Sequence, residues 1–374
     1  MIDNFNTSAF LGADIVHVLT HFHSDHRPGL EPSFRGRLIC SQLTAELLFS
    51  FGISNHCVEV LYLHEPLVIY PGPDLEPFTI TFIDANHCPG SVSVVIQGPA
   101  FSYYYMGDSR LSNTITHHAC QLAPNGYDIV WIDSTFYDHA WDVMPTMGQS
   151  ISTLLRFAQS KKSCLAVEFE LLGTEVLLEA LMEVFPGESV LVLEHRRMEQ
   201  LQIIFADNEQ VLKRLVYHDS ESVGWDQHRV IVIPRRMKLP DGVVRLRATT
   251  QRWANRIRRL ENEQSISIIE VNEERNECFI FFSFHSCKRE IDEFTQCIGA
   301  RSVVKLVKSI DISLPSPDRD PPPTERPRRL RCQRHPFPFS SDPVWLDSLI
   351  DSQDTIPPQL CEDEEIILPT WGTR

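Results

Sequence analysis

Among its ten cysteines the chain has no Cys-x-x-Cys pair, which removes the paired-thiol spacing of zinc ribbons and dithiol redox motifs. Scattered thiols of this kind fit a reducing compartment, with most of them buried or incidental. Long apolar runs are also missing. None reaches the roughly 18 residues that a membrane span needs, so no membrane contact is expected. Asp3, Asn4 and Asn6 interrupt the start before the apolar stretch of a signal peptide could form. There is no internal repeat. Positive charge is in short supply, with 34 Lys and Arg against 50 Asp and Glu and a net charge of -16. That total argues against nucleic acid, but the distribution of charge matters more than its sum.

What is present begins with size. A chain of 374 residues, 43% hydrophobic, can fill one large domain or two ordinary ones. The first 135 residues alternate short apolar runs with turns. Runs 15–19, 58–63, 78–83, 91–96, 101–105 and 129–132 are expected strands. Residues 147–159 and 175–185 and a segment around 199–205 are expected helices, interleaved with strands over 163–167 and 190–193. That alternation predicts a second α/β unit from about 150 to 275. A strand over 278–283, a short helix over 290–298 and a last strand over 303–307 follow. From Pro315 the prolines argue against regular structure. Within this tail, Val344 to Ile350 is an apolar island that could be a docking motif or plain disordered chain.

One basic stretch reverses the overall sign: Arg235, Arg236, Lys238, Arg245, Arg247, Arg252, Arg256, Arg258 and Arg259. It is either a solvated surface or part of a phosphate-binding face. Trp253, among these arginines, could stack a base or pack in the core. The candidate nucleic-acid contacts are Arg245, Arg247, Arg252, Trp253 and Arg256.

The densest feature is Thr20-His21-Phe22-His23-Ser24-Asp25-His26, with three imidazoles and a carboxylate inside six residues. On extended backbone His21 and His23 share a face, and the next loop must bend to bring Asp25 and His26 beside them. Further ligand types stand just past other strand ends: His87, Asp108 and, far along the chain, His285. Nitrogen and carboxylate without obligatory thiolate suit zinc, or otherwise manganese or iron. The expected division puts His21, His23 and His87 on one ion. It puts Asp25, His26 and His285 on a second, with Asp108 between. Two ions about 3.5–4 Å apart can activate water and stabilise the attacking and leaving oxygens of a phosphoryl transfer. Because His285 returns from so far, the second unit is expected to be an insertion into the first.

His21-Phe22-His23-Ser24-Asp25-His26 resembles the HxHxDH signature of the metallo-β-lactamase superfamily. Asn86-His87-Cys88-Pro89-Gly90-Ser91 resembles its β-CASP branch, and within that the DNA-processing nucleases. Cys88 to Val92, Asp133-Ser134-Thr135-Phe136 and Phe282 to Ser286 are similar to the Artemis-like members. The resemblance covers about residues 1 to 310. It implies an αββα sandwich over 1–149, a β-CASP insert over 150–275, a returning part of the sandwich over 276–311 and a disordered tail over 312–374. It further implies a zinc-dependent nuclease with one or two ions, magnesium or manganese being alternatives. DNA is the implied substrate, the nucleus the implied location, and repair proteins the implied partners of the tail.

By the same resemblance Asp3 orients neighbouring ligands, Asp133 supports the site from outside, and Asp25, Asp108, Asp133 and His285 carry the catalysis. Val307 matches a position where DNA-directed members carry valine. Three departures accompany this. Strand material that members carry ahead of Asp3 is missing here. Gly173-Thr174-Glu175 stands where cross-link repair exonucleases have a GKE-like segment, so Thr174 removes a cation. No cysteine lies between Cys164 and Cys278, so an extra structural zinc site in the insert is expected to be absent or altered. His195, His218 and His228 are expected at the surface or in the core, and His117 and His118 in a solvated loop. Asp138 and His139 could line a substrate groove. The reactions in view are endonucleolytic cleavage at hairpins and overhang junctions, 5′ exonuclease action, and a non-catalytic repair scaffold.

Overall fold

The structure is a computed structural model that describes residues 1–6, 15–72, 75–137, 142–168, 172–219, 223–250, 252–253 and 267–306. These residues fall within the unit Met1–Asp311. The tail, Val307, Asp138, His139, Arg256, Arg258 and Arg259 lie outside the described residues.

Three sheets organise the chain. The first contains β1 (Val16–Val18), β2 (Arg37–Cys40) and β3 (Val58–Val60), all parallel. The second contains β4 (Leu67–Ile69), β5 (Phe78–Asp84), β6 (Val92–Gly98), β7 (Phe101–Tyr105) and β8 (Ile129–Asp133), with β16 (Val303–Leu306) on the far side of β8. Period-two side-chain alternation makes these two sheets a sandwich. Ile39 of β2 packs with Phe82, Val94, Tyr105 and Trp131 in one core between the sheets. The neighbours of those residues face outward. Leu38 and Cys40 pack under Leu47 and Leu48 of helix α1 (Gln42–Ser50). Ile83, Val95, Tyr104, Val130 and Ile132 pack under helix α2 (Asn113–Leu122) and a later helix over 288–297, through Ile115, Ala119, Ile291 and Phe294. The layers therefore run helix, sheet, sheet, helix.

Between β8 and β16 the chain builds the third sheet, in the order β11-β10-β12-β9-β13-β15-β14. Its strands are β9 (Leu165–Val167), β10 (Val190–Val192), β11 (Leu215–Tyr217), β12 (Val230–Val232), β13 (Val244–Thr249), β14 (Ile269–Asn272) and β15 (Glu277–Phe281). Only β14 runs antiparallel to its neighbour. Helices α3 (Met147–Ser160), α4 (Glu175–Val184), α5 (His195–Ile204) and α6 (Glu209–Leu212) connect these strands, and α7 (Lys288–Cys297) follows the sheet. β9, β10 and β12 are buried at every residue, as expected of parallel strands covered on both faces.

The expected boundary at 275 falls one strand early, because β15 pairs with β13 and β14 in the third sheet. The chain then re-enters the sandwich by placing β16 parallel to β8. His117 and His118 lie on α2 rather than in a loop. The Ser112 hydroxyl accepts the Ile115 N–H and caps that helix, a signal available in the sequence as Ser112-Asn113.

Candidate metal centre

β1 stops at Val18, and the extended residues after it lead directly to the imidazoles. Asp3 lies beside this exit. Its N–H bonds the Val18 carbonyl at 3.0 Å, in a left-handed backbone with φ 52°. Its carboxylate accepts the Thr20 N–H at 2.8 Å, the Thr20 hydroxyl at 2.8 Å and His26 Nδ1–H at 2.9 Å. Since Thr20 donates its single proton to Asp3, its oxygen is an acceptor for His21 Nδ1–H, 3.0 Å away. One aspartate thus sets the orientation of two histidines, one directly and one through a hydroxyl.

The other imidazoles are oriented in the same manner by groups remote in sequence. The Leu172 carbonyl accepts from His23 Nε2 at 3.0 Å, and the Phe284 carbonyl from His87 Nδ1 at 3.0 Å. Asp133 Oδ2 accepts from His285 Nδ1 at 2.7 Å. The loop that carries His87 is shaped by Ser91, whose hydroxyl accepts the N–H groups of both His87 and Cys88 at 3.1 Å. Asp108 follows β7 across Gly107, where φ is 63° and a Cβ would lie 3.3 Å from the Thr20 methyl. A side chain at 107 would press on the residue that orients His21.

Each outward nitrogen thus has an acceptor, so the opposite nitrogen of each ring is left to face the centre. His23 Nδ1 lies 3.1 Å from His21 Nε2 and 3.0 Å from His87 Nε2. Those three atoms carry lone pairs and no proton between them. Asp108 Oδ2 lies 3.9 Å from His21 Nε2, 3.7 Å from His87 Nε2, 3.3 Å from His26 Nε2 and 4.0 Å from His285 Nε2. Converging lone pairs repel unless a cation lies among them, so this donor set fits a metal ion. His21, His23, His87 and Asp108 form one compact group able to hold an ion. Asp108, Asp133 and His285 form a second.

Electrostatics point the same way. Burial, then the neighbouring histidines, push His21 and His87 well below the ordinary histidine value, and burial lowers His23 as well. They are neutral, the form that coordinates metal. His26 moves the other way, up to about 11: burial opposes the shift, but hydrogen bonds to Asp108 and Asp3 outweigh it. His285 is raised against burial by the charge and hydrogen bond of Asp133. Asp108 is held well below the carboxylate range, against burial, by the His26 hydrogen bond and then by the charges of His87 and His285. A divalent ion would supply the positive charge that a proton on His26 or His285 otherwise supplies.

Asp25 belongs to neither compact group and is exposed in the 3-10 turn Ser24–His26. Consecutive side chains in such a turn point about 120° apart, so Asp25 and His26 diverge. Asp133 occupies the outer nitrogen of His285, and also accepts the Ser109 N–H at 3.3 Å and the Thr135 N–H at 3.0 Å. It is held as an orienting group.

Sequence reasoning missed Arg110. It is 3% exposed, and its guanidinium donates to the His285 carbonyl at 3.1 Å, the Pro145 carbonyl at 3.2 Å and Glu290 at 2.9 Å. Around it Ser109 Oγ donates to the Ala85 carbonyl, Ser286 Oγ to the Ser109 carbonyl and Asn86 Nδ2 to the Arg110 carbonyl. This segment ties the His87 and His285 loops to the Asp108 loop. Its only sequence signal was position, directly after a ligand at a strand end.

The expected nucleic-acid contacts require correction. Arg245 and Arg247 lie on alternate positions of β13 and both pair with Glu168, which is 5% exposed. Arg245 also bonds the Met237 carbonyl, and Arg247 lies 3.7 Å from Glu277. Arg252 pairs with Glu270 at 2.5 Å and stacks on Phe279 at 3.9 Å. Trp253 is 1% exposed, with its indole N–H on the Ser267 carbonyl at 2.7 Å and its ring edge-on to Phe281. It is a core residue whose face is covered. Thr174 is also buried, and Arg197 reaches within 3.5 Å of its hydroxyl. That arginine is itself paired with the fully buried Glu175 at 2.7 Å. A cation therefore does lie beside Thr174, brought from the next helix but already neutralised.

No family model matches the chain. The mouse protein named 5′ exonuclease Apollo is 30% identical over 190 residues, which is 50% of this chain and 34% of that protein. Mouse protein Artemis is 30% identical over 162 residues, 38% of this chain and 23% of that protein. The chain thus matches about a third or less of each relative's length. In architecture, a crystal structure of a protein of unknown function from Enterococcus faecalis V583 superposes with a TM-score of 0.54 at 14% identity, covering 78% of this chain and 75% of that one. Relatives of both names lie at the same identity, so the chain is as similar to the one as to the other, and this likeness supports the resemblance to the β-CASP metallo-β-lactamase nucleases that its motifs carry.

Proposed function

We propose that this chain is a zinc-dependent DNA phosphodiester hydrolase. The observation that carries the proposal is the convergence of five oriented imidazoles on the Asp108 carboxylate. His21, His23, His87 and Asp108 would hold one ion. Asp108, His26 and His285 would hold a second, with Asp25 the ligand still outside the compact groups. Zinc held there would supply Lewis acidity toward a phosphoryl oxygen and make water a nucleophile near neutral pH. The protein's own part is orientation. Asp3 and Thr20 fix His26 and His21, Asp133 fixes His285, and Arg110 fixes the backbone that carries His285. The insert, residues 150–281 in this reading, would form the opposite wall of the substrate cleft. DNA repair in the nucleus, with partners docking on the tail, belongs to the same proposal.

Two reactions fit this centre. Endonucleolytic opening of hairpins and overhang junctions is favoured by Thr174 standing where a free cation would capture a terminal phosphate. Exonuclease action from a 5′ end is favoured by similarity to a relative named for it. The test uses an end-labelled DNA hairpin and a 5′-phosphorylated single strand, with wild type and Asp108→Ala in zinc. Hairpin opening lost in the variant establishes the first reaction. Stepwise shortening of the single strand alone establishes the second. If wild-type protein loaded with zinc cuts neither DNA, the hydrolase proposal is wrong.

A further inference from the structure

A basic cluster around Tyr137 stands beside the metal centre, outside the network that orients the histidines. Tyr137 follows Phe136, whose ring is edge-on to the His285 imidazole with centroids 5.7 Å apart. Two ammonium groups lie over the Tyr137 ring. Lys305 Nζ is 4.8 Å from its centroid and Lys288 Nζ 5.5 Å. Both are cation–π contacts, which steady a flexible lysine. Lys288 begins α7, just after His285. Lys305 comes from β16, which runs parallel to β8 with Lys305 opposite Ile132 and Leu306 opposite Asp133. Residues paired across two strands project to the same side. Leu306 packs in the inner core, whereas Lys305 follows Ile132 to the side that α7 covers.

The two lysines differ in how their charge is met. The Tyr137 hydroxyl donates to Asp292 Oδ1 at 2.6 Å, and Lys288 pairs with Oδ2 of the same carboxylate. Both oxygens of Asp292 are therefore engaged. Lys305 is exposed, and among the described residues no carboxylate lies within ion-pair distance of it. Arg110 and Arg197, by contrast, are paired with Glu290 and Glu175. In a chain of net charge -16, the fold leaves one ammonium over a fixed ring, one residue along β16 from the partner of Asp133.

We infer that Lys305, held over the Tyr137 ring, contacts a backbone phosphate of the DNA strand on the α7 side of the metal centre. The ring sets where the ammonium sits, and an ammonium meets a phosphate as a compact point charge. Such a contact positions the strand and reads no base. The inference rests on the DNA hydrolase reading above, and the test separates the two.

Binding of a fluorescent single-stranded DNA is measured in the cold, before turnover, across a salt series. Wild type, Lys305→Gln, Lys305→Arg and Tyr137→Leu are compared, with bound zinc and cleavage followed on the same samples. Lys213→Gln controls for net charge, since it removes an exposed lysine next to β11 at the far edge of the third sheet. With zinc content unchanged, Lys305→Gln should bind about fivefold more weakly, and its slope of log affinity against log salt should flatten by about 0.7. Lys305→Arg should keep both. Tyr137→Leu keeps the charge but removes the ring, and should lose about twofold in affinity with the slope unchanged. Lys213→Gln should match wild type. A neutral methylphosphonate moved along the strand locates the contact: at one position it should weaken wild type and leave Lys305→Gln unaffected. If wild type cuts DNA while Lys305→Gln matches it in affinity and salt slope, or Lys213→Gln loses as much, the inference is overturned and the hydrolase reading stands. If wild type neither binds nor cuts DNA, the hydrolase reading fails and the inference fails with it.

Discussion

Two clusters of ionisable residues stand out in this chain, and the fold uses them in opposite ways. The histidines between 21 and 26 turn their inner nitrogens toward one carboxylate, together with His87 and His285. The arginines between 245 and 252 turn to Glu168, Glu277 and Glu270 and are largely satisfied inside the third sheet. The difference lies in how each group can be satisfied. A guanidinium donates only, so a single buried carboxylate can neutralise it. A neutral imidazole has both a donor and an acceptor. Once its N–H is taken by a carbonyl or carboxylate, its lone pair needs a proton or a metal. Crowded histidines whose outer nitrogens are all accounted for therefore point to a site, whereas crowded arginines with acids nearby point to structure.

Substitutions can break or sharpen this contrast. The largest effect is expected at the shared carboxylate: Asp108→Ala should lower DNA cleavage by about a thousandfold or more, with loss of bound zinc by elemental analysis. Glu168→Gln comes next. It leaves Arg245 and Arg247 without their buried partner and should cost about 3 kcal/mol in denaturant unfolding. The two arginines hold the Glu168 carboxyl below its ordinary value. Its contribution is therefore present above the unfolded glutamate range and is lost as pH falls through the lowered value. Wild type should lose stability over that acid interval, and Glu168→Gln should show less of this loss. Asp133→Asn should weaken zinc binding by about 10–100-fold with the fold retained, measured by chelator competition. The smallest effect is expected at Arg252→Gln. Its pair is partly exposed and worth at most about 1 kcal/mol, and DNA affinity should not change. A clear drop in affinity there would return the arginine stretch to the substrate face.

Much of the sandwich could be read from period-two alternation. Tyr103-Tyr104-Tyr105 divides between the two faces of β7 as expected, with Tyr104 facing the helices and Tyr105 the inner core. β13 was missed although Val244-Arg245-Leu246-Arg247 alternates in the same manner, because its arginines invited a surface reading. β10 and β12 are three residues each and buried throughout, so they carry no period at all. Only the flanking turns distinguish such runs from buried helix, which is why β10 was found and β12 was not.

The amino-acid sequence by itself determined that ligand-type side chains end several strands, that His21 and His23 share a backbone face, and that the chain must return from far away to bring His285 in. It also carried the resemblance to the β-CASP nucleases, because those short motifs are dense and specific. Only the tertiary structure decided which nitrogen of each imidazole faces inward, that Asp133 orients His285, and that Trp253 is core. The physical reason is that these outcomes depend on partners such as the carbonyls of Leu172 and Phe284. Every residue carries a carbonyl, so nothing in a sequence marks the one that will accept a proton from a histidine 149 or 197 positions away.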